Sequence, residues 1–347
     1  MRLEVDATTI PTDAPESDGT LEWDSTTIVV VRAHDDGQTG IGYTYCDRAA
    51  AELVRSTLAN CVQEDVRASW LAMNAAVRNT GRPGIASCAI SAVDQALWDL
   101  KARRLGISLA ELLGPAHDGV PIYGSGGFCS YTRDRLQEQL GDWVASGISR
   151  VKMKLGRDPE RDPARLDAAR EAIGDDVELF VDANGAFGPK EALAWAERYA
   201  LEWGVSWFEE PVSSGDLEGM RFVRDRAPLE VAAGEYAYTP EDVRNIVGCV
   251  DVLQLDVTRC LGITGFLDVA NAFPVDVSAH CAPAISAHVF CAVNRLRHLE
   301  YFHDHVRIER MLFDGVPEPA GGVLRPDRSR PGNGLELKVR EVARWAS

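Results

Sequence analysis

From Val120 onward one pattern repeats along the chain: a short apolar run, then an amphipathic stretch of helical length. The runs fall at 120–124, 149–155, 177–182, 205–209, 230–234, 251–256, 275–279 and 297–300, with helical stretches such as 189–203 and 240–247 between them. Short strands alternating with helices form consecutive βα units around a parallel sheet. Eight units predict that the sheet closes on itself as an α/β barrel rather than staying open. No G-x-G-x-x-G opens a helix, which argues against a dinucleotide-binding sheet.

Residues 1–119 follow another pattern and are expected to form a separate α+β unit. The β-branched run Thr26-Thr27-Ile28-Val29-Val30-Val31 reads as a strand, Asp35-Asp36-Gly37 as a turn, and Gly40 to Tyr45 as the returning strand. Helical patterns follow at 47–60, 63–78 and 87–104; in the last, Ala89, Ile90, Val93, Ala96, Leu97 and Leu100 form an apolar stripe. Segment 13–20 is polar, with Pro15 and Gly19, and reads as a surface loop, a lid being the alternative. Residues 315–347 hold Pro317, Pro319, Pro326, Pro331 and paired glycines, and are expected to wander back across the first unit.

In a closed barrel of this kind the reacting groups gather at the C-terminal ends of the strands. Lys154, Asp182, Glu209, Glu235, Asp256, His280 and Glu300 each fall at or just past a strand end, 20 to 28 residues apart. One acidic residue in such a place is usually a helix cap or a solvated loop residue; seven chemistry-bearing groups in register are not explained that way. Asp182, Glu209 and Glu235 come from consecutive strands with no His or Cys among them. An all-oxygen set selects a hard divalent cation, Mg²⁺ first, with Mn²⁺ able to substitute. Without a cation, three crowded carboxylates repel one another strongly. Glu210 and Asn184 are placed as groups that orient the ligands.

Positive charge in this chain is carried mostly by arginine, and the only lysines are Lys101, Lys152, Lys154, Lys190 and Lys338. Lys152 and Lys154, two apart on a strand, share a face. Neighbouring ammonium groups and burial both lower an amine's pKa, so the pair is expected to supply a base near neutral pH. Asp256 beside His280 would fix the imidazole tautomer and raise its basicity, giving a second acid/base opposite Lys154. Glu300, between Leu299 and Tyr301, is expected to be held protonated by its apolar setting and to donate to a substrate oxygen. Arg259 and Cys281 are placed at the mouth, and His288, His298, His303 and His305 as structural or surface residues.

The net charge of −17 and the lack of a basic stripe exclude a nucleic-acid partner, but an acidic shell can still surround a positive pocket for a small carboxylate. No apolar run reaches the roughly 18 residues of a membrane span, and Met1-Arg2-Leu3-Glu4-Val5-Asp6 is no signal peptide. A cytoplasmic protein with no membrane partner is expected. Its eight cysteines, scattered without a C-x-x-C, are expected to be reduced thiols. A metal-dependent barrel hydrolase would show histidine ligands such as an H-x-H on the first strand, which reads Val120-Pro121-Ile122-Tyr123-Gly124. A non-catalytic binding protein is the other alternative, but it has no need of bases on both faces.

Taken together, these residues resemble the enolase superfamily and, within it, the mandelate racemase/muconate lactonizing enzyme subgroup. The resemblance covers nearly the whole chain. It rests on the helix Ile90 to Lys101, the K-x-K at 152–154, the D-A-N-G at 182–185, the E-E-P at 209–211 and the G-E at 234–235, all in family order. It implies a modified TIM barrel at 120–314, an N-terminal α+β capping domain at 1–119, and a C-terminal segment at 315–347 returning to the cap. It further implies Mg²⁺ on Asp182, Glu209 and Glu235, Lys154 as one base and Lys152 on the substrate carboxylate. The Asp256–His280 dyad would be the other acid/base and Glu300 a hydrogen-bond partner of an enediolate. The implied reaction is Mg-dependent α-proton abstraction from a carboxylate, with dehydration of an aldonate or aldarate favoured over racemisation, epimerisation or cycloisomerisation. Arg259 stands where the family often has a lysine, and Cys260-Leu261-Gly262 where a glycine pair is frequent. By analogy with such barrels a homo-oligomer is expected.

Overall fold

The computed structural model describes residues 1–345. At its N-terminus β1 (Arg2–Ser17), β2 (Glu22–Asp35) and β3 (Gln38–Tyr45) form an antiparallel sheet. Asp36 and Gly37 turn β2 into β3 with φ of +47° and +75°, which an Asp-Gly pair adopts at little cost. Helices α1 (Ala49–Ser56), α2 (Val66–Ala76) and α3 (Ile85–Leu105) pack with this sheet around a core that includes Val29, Val31, Trp70, Ile90 and Val93. The strand β3 crosses α3 so closely that a Cβ on Gly40 or Gly42 would lie 2.2 Å from the carbonyl oxygen of Ala96 or Ala92. Because neighbours cover α3 on nearly every side, its buried positions run all round rather than along one stripe, and they include the polar Ser91, Asp94, Gln95 and Asp99.

Segment 13–20 departs from the expected surface loop. Residues 13–17 continue β1, and Glu16 and Ser17 are buried. The amide of Cys129 donates to the Ser17 carbonyl at 2.7 Å, and the Ser130 hydroxyl to that of Pro15 at 2.7 Å. At the hairpin tip a Cβ on Gly19 would meet the carbonyl oxygens of Ala183 at 2.3 Å and Leu155 at 2.7 Å. The tip therefore rests on the strand ends of the second domain, whose polar groups satisfy residues that by composition look solvated.

The larger part is a ring of eight parallel strands: β4 (Val120–Gly126), β5 (Arg150–Lys154), β6 (Glu178–Asp182), β7 (Val205–Glu209), β8 (Glu230–Ala233), β9 (Val252–Leu255), β10 (Asp276–Ala279) and β11 (Leu296–Phe302). Pairing of β11 with β4 closes it. A helix follows each strand: α5 (Arg133–Ala145), α6 (Asp162–Ile173), α7 (Pro189–Trp203), α8 (Leu217–Arg224), α9 (Pro240–Ile246), α10 (Gly262–Ala270), α11 (Pro283–Phe290) and α12 (His303–Leu312). The short helix α4 (Leu109–Leu113) links the two parts, held by a capping box between Ser108 and Glu111. Inside the ring Tyr123, Phe180, Trp207, Ala232 and Val252 form an apolar floor, with the His298 ring against the aromatic ones. Burial pushes the pKa of His298 down to about 3, so it is neutral packing, as expected.

Polar contacts fix the N-terminal part over the barrel. The Asp94 carboxylate accepts from the Thr264 amide and hydroxyl at 2.8 and 2.7 Å, and Tyr43 donates to Glu309 at 2.5 Å. Further along, β12 (Phe313–Asp314) pairs with β14 (Glu336–Leu337), and β13 (Val323–Leu324) with β4. The Asn333 amide then donates to Asp99 at 2.6 Å and its side chain to the Ile41 carbonyl at 2.9 Å. No helix among the described residues is long and apolar enough to cross a membrane.

Candidate active site

The parallel register sets the strand-end residues side by side. Lys154 on β5 pairs with Asp182 on β6, and Asp182 with Glu209 on β7; Glu235 follows β8 by two residues. Asp256 follows β9 and His280 follows β10, while Glu300 lies within β11 opposite Tyr123. All are buried, and one network of contacts joins them.

Lys152 Nζ lies 2.6 Å from Glu209, 2.8 Å from Glu300 and 3.3 Å from Asp182, and Lys154 Nζ 2.5 Å from Asp182. His280 Nδ1 is 2.7 Å from Asp256, and Nε2 is 3.0 Å from Glu235 and 3.5 Å from Glu300. Arg259 reaches Glu235 at 3.2 Å and Asp256 at 3.5 Å. Thus Asp182, Glu209 and Glu235 stand on adjacent strand ends, yet each carboxylate is turned to a cation of the chain rather than to a common point. Buried carboxylates repel, and here two ammoniums, an imidazole and a guanidinium supply the counter-charge.

Two expectations about protonation are corrected. Burial does disfavour the charged lysines, and each ammonium disfavours the other. The surrounding carboxylates outweigh both effects, and the pKa of Lys152 and of Lys154 is pushed up, not down. Burial would likewise raise Glu300, but Lys152 and His280 hold it well below the usual carboxylate range. Glu300 is therefore ionised: it accepts from Lys152 and, at 2.5 Å, from the Ser125 hydroxyl. A strand's apolar flanks face away from the cavity, so they do not set the charge of the residue pointing into it.

His280 is held protonated well above the usual imidazole range, because Glu235, Glu300 and its bond to Asp256 overcome burial, while burial and Glu300 keep the Cys281 thiol itself protonated. Asp256 is fixed further by the Thr258 amide and hydroxyl at 2.6 and 2.7 Å.

Several supporting groups lie one alternation below the strand ends. Gln254, two residues before Asp256, donates to Glu209 at 3.1 Å, and Trp207, two before Glu209, donates to it at 3.2 Å. Residue type does not mark either of them, but position does, since i−2 on each strand faces the same interior. His305, taken as structural or surface, stacks on Tyr45 at 3.4 Å with its Nδ1 3.4 Å from the Ala282 amide, beside the dyad. His288 is buried and neutral, and His303 contacts Asp13 at 2.9 Å. Cys281 lies inside the site against His280 and Glu300 rather than at its mouth.

The donor set suits a hard cation. Burial and neighbouring carboxylates push the Glu209 pKa up to about 8 and raise Glu210 far more. Asn184 Oδ1 and Glu210 Oε1 are buried without a hydrogen-bond partner, and both residues adopt positive φ (+46° and +39°) just past their strands. Crowded anionic oxygens and orphaned neutral ones are what a divalent ion and its water shell would satisfy.

Comparison with known proteins places these features in context. Residues 7–114 match the mandelate racemase/muconate lactonizing enzyme N-terminal domain, and 135–342 the enolase C-terminal domain-like family. The chain is 33% identical to a 3,6-anhydro-alpha-L-galactonate cycloisomerase of Streptomyces coelicolor, over 92% of this chain and 91% of that one. A mandelate racemase/muconate lactonizing enzyme-like structure from Rubrobacter xylanophilus superposes with a TM-score of 0.98 at 58% identity, covering 100% and 99% of the two chains. The L-talarate/galactarate dehydratase of Salmonella typhimurium, liganded with Mg and L-lyxarohydroxamate, superposes with a TM-score of 0.89 at 28% identity, over 99% and 92%.

Proposed function

The chain belongs to the mandelate racemase/muconate lactonizing enzyme family of the enolase superfamily, and from that premise we propose that it removes the α-proton of an acid sugar and completes a dehydration to a 2-keto-3-deoxy acid. The observation that carries this reading is the single buried network joining an amine, three adjacent carboxylates and an imidazole–carboxylate dyad. Its relatives include cycloisomerases, dehydratases and an epimerase.

Asp182, Glu209 and Glu235 would hold Mg²⁺, as the structural relative with bound Mg supports. When bound, the ion supplies positive charge at the substrate carboxylate, where negative charge develops as the α-proton leaves. Lys152, pinned by Glu209 and Glu300, holds the carboxylate from the other side as a fixed cation. Lys154 Nζ takes the α-proton; its partner Asp182 is itself a cation ligand, so the carboxylate that keeps Lys154 protonated is the one engaged on loading. His280 carries a proton on Nε2, with Nδ1 anchored to Asp256, and delivers it to a departing β-hydroxyl. If the substrate has no such hydroxyl, His280 instead gives its proton to the α-carbon on the face opposite Lys154, which keeps the proton it removed; that is epimerisation. Lys154 at the end of β5 and His280 just past β10, on separate sides of the ring, favour keeping this second reading.

The test is a panel of aldonates and aldarates in D₂O with Mg²⁺, read by keto-acid formation and by deuterium at the α-carbon. Keto acid supports dehydration, exchange with inversion alone supports epimerisation, and no exchange with any acid rejects both.

A further inference from the structure

Three ligand atoms in this site stand at mutual distances that suit a cation other than Mg²⁺. His280 Nε2 lies 3.3 Å from Cys281 Sγ and 3.5 Å from Glu300 Oε2, and the sulfur lies 3.2 Å from that oxygen. All three residues are buried, and their atoms form a compact triangle. Tetrahedral zinc, with bonds of about 2.0–2.1 Å to nitrogen and oxygen and about 2.3 Å to sulfur, needs ligand–ligand edges of roughly 3.3–3.6 Å, so the two edges to sulfur need lengthen by only about 0.2–0.4 Å as the thiol gives up its hydrogen bond.

The backbone explains why two consecutive side chains meet there. Successive residues on a strand point to opposite faces, but Cys281, just past β10, takes φ +50° and Ala282 φ +45°. That left-handed step lets the thiol join His280 in the cavity. The other contacts of each ligand leave the right atom available. Asp256 accepts from Nδ1, so the ring presents Nε2, which faces Glu235 at 3.0 Å and is released when that carboxylate turns to its own cation; a carboxylate on Nδ1 is the arrangement that orients a metal-bound histidine. Lys152 and Ser125 occupy Glu300 Oε1 and leave Oε2.

We infer that His280, Cys281 and Glu300 form a second metal site, distinct from the Asp182–Glu209–Glu235 set and selective for a thiophilic divalent cation such as Zn²⁺, Cd²⁺ or Co²⁺. On binding, the thiol proton and the Nε2 proton pass to solvent, while the Nδ1 proton stays on its bond to Asp256. One thiolate and one carboxylate neutralise the dication, and water completes the coordination. Mg²⁺ avoids sulfur, so softness sorts the two cations between the two sites. Occupancy withdraws Nε2 from proton transfer, so such a cation blocks turnover. That consequence rests on the role proposed above for His280; the metal site does not.

Co²⁺ added to the Mg²⁺-saturated full-length protein is the test. The expected result is a thiolate-to-cobalt charge-transfer band at one equivalent that Cys281→Ser abolishes. No band, or a band that survives in Cys281→Ser, overturns the site. If that variant does not fold, His280→Asn must weaken Co²⁺ binding by about tenfold or more; unchanged affinity overturns it equally. Turnover measured with Co²⁺ in excess Mg²⁺ then separates the two claims: a band with undiminished turnover upholds the site and rejects the catalytic role of His280.

Discussion

Lys152 and Glu209 form an ion pair with neither side chain exposed, Nζ lying 2.6 Å from Oε1 at the centre of the barrel. The same ammonium serves Glu300 at 2.8 Å, so one cation neutralises carboxylates from β7 and β11 across the cavity. Breaking a buried pair by deleting one partner strands the other charge. Lys152→Met should therefore destabilise the protein by about 3–5 kcal/mol, measured by denaturant unfolding in the absence of Mg²⁺. A loss below about 1 kcal/mol, the range of an exposed pair, would show that the network is not closed to water.

The two proton-transfer groups can be separated by face. Lys154→Ala and His280→Asn should each lower turnover by about 10²- to 10⁴-fold. Each should leave α-deuterium exchange from the opposite face measurable by NMR with one stereoisomer of the substrate. Full activity in both variants would remove the assignment.

Gly19 holds the hairpin tip against the carbonyls of Ala183 and Leu155, neighbours of Asp182 and Lys154. A methyl group there would push on those two carbonyls and on Ala186 Cβ at 3.0 Å, none of which is the end of a flexible side chain. Gly19→Ala should lift the tip and lower kcat/KM by about 10- to 100-fold while thermal unfolding changes little. Unaltered kinetics would mean the tip does not order the site.

Glu309 supplies a pH signature of cap docking. It accepts from Tyr43 on β3 at 2.5 Å and from the Ala284 amide at 3.1 Å, and burial pushes its pKa up to about 8 from the usual 4.5. The folded state thus keeps a proton that the unfolded chain releases, so this group's contribution is full below pH 4.5 and is lost as pH rises toward 8. Glu309→Gln removes that dependence. Its Tm should match wild type near pH 5 and exceed it at pH 8.5, by roughly 1–2 °C for each kcal/mol recovered. A gap independent of pH would show that Glu309 is ionised in the folded protein.

Spacing and residue type made the barrel and the placing of its polar residues legible without coordinates. Strand and helix periods alternate, and a side chain's position at a strand end follows from counting, because a parallel barrel brings all its C-terminal ends to one rim. Lys154, Asp182, Glu209, Glu235, Asp256, His280 and Glu300 stand on one network at that rim. Charge state was not legible, because it depends on which partners meet across the ring. Lys152 reads as a depressed amine next to Lys154, and becomes a firmly held cation only when β7 and β11 bring Glu209 and Glu300 against it. The burial of Glu16 and Ser17, the seat of Gly19, the Tyr45–His305 stack and the inward turn of Cys281 likewise arise from contacts between segments far apart in the chain or from a pair of left-handed residues. Local pattern sets where a side chain starts; what it touches, and so whether it carries a proton, is decided by the other strands of the closed ring.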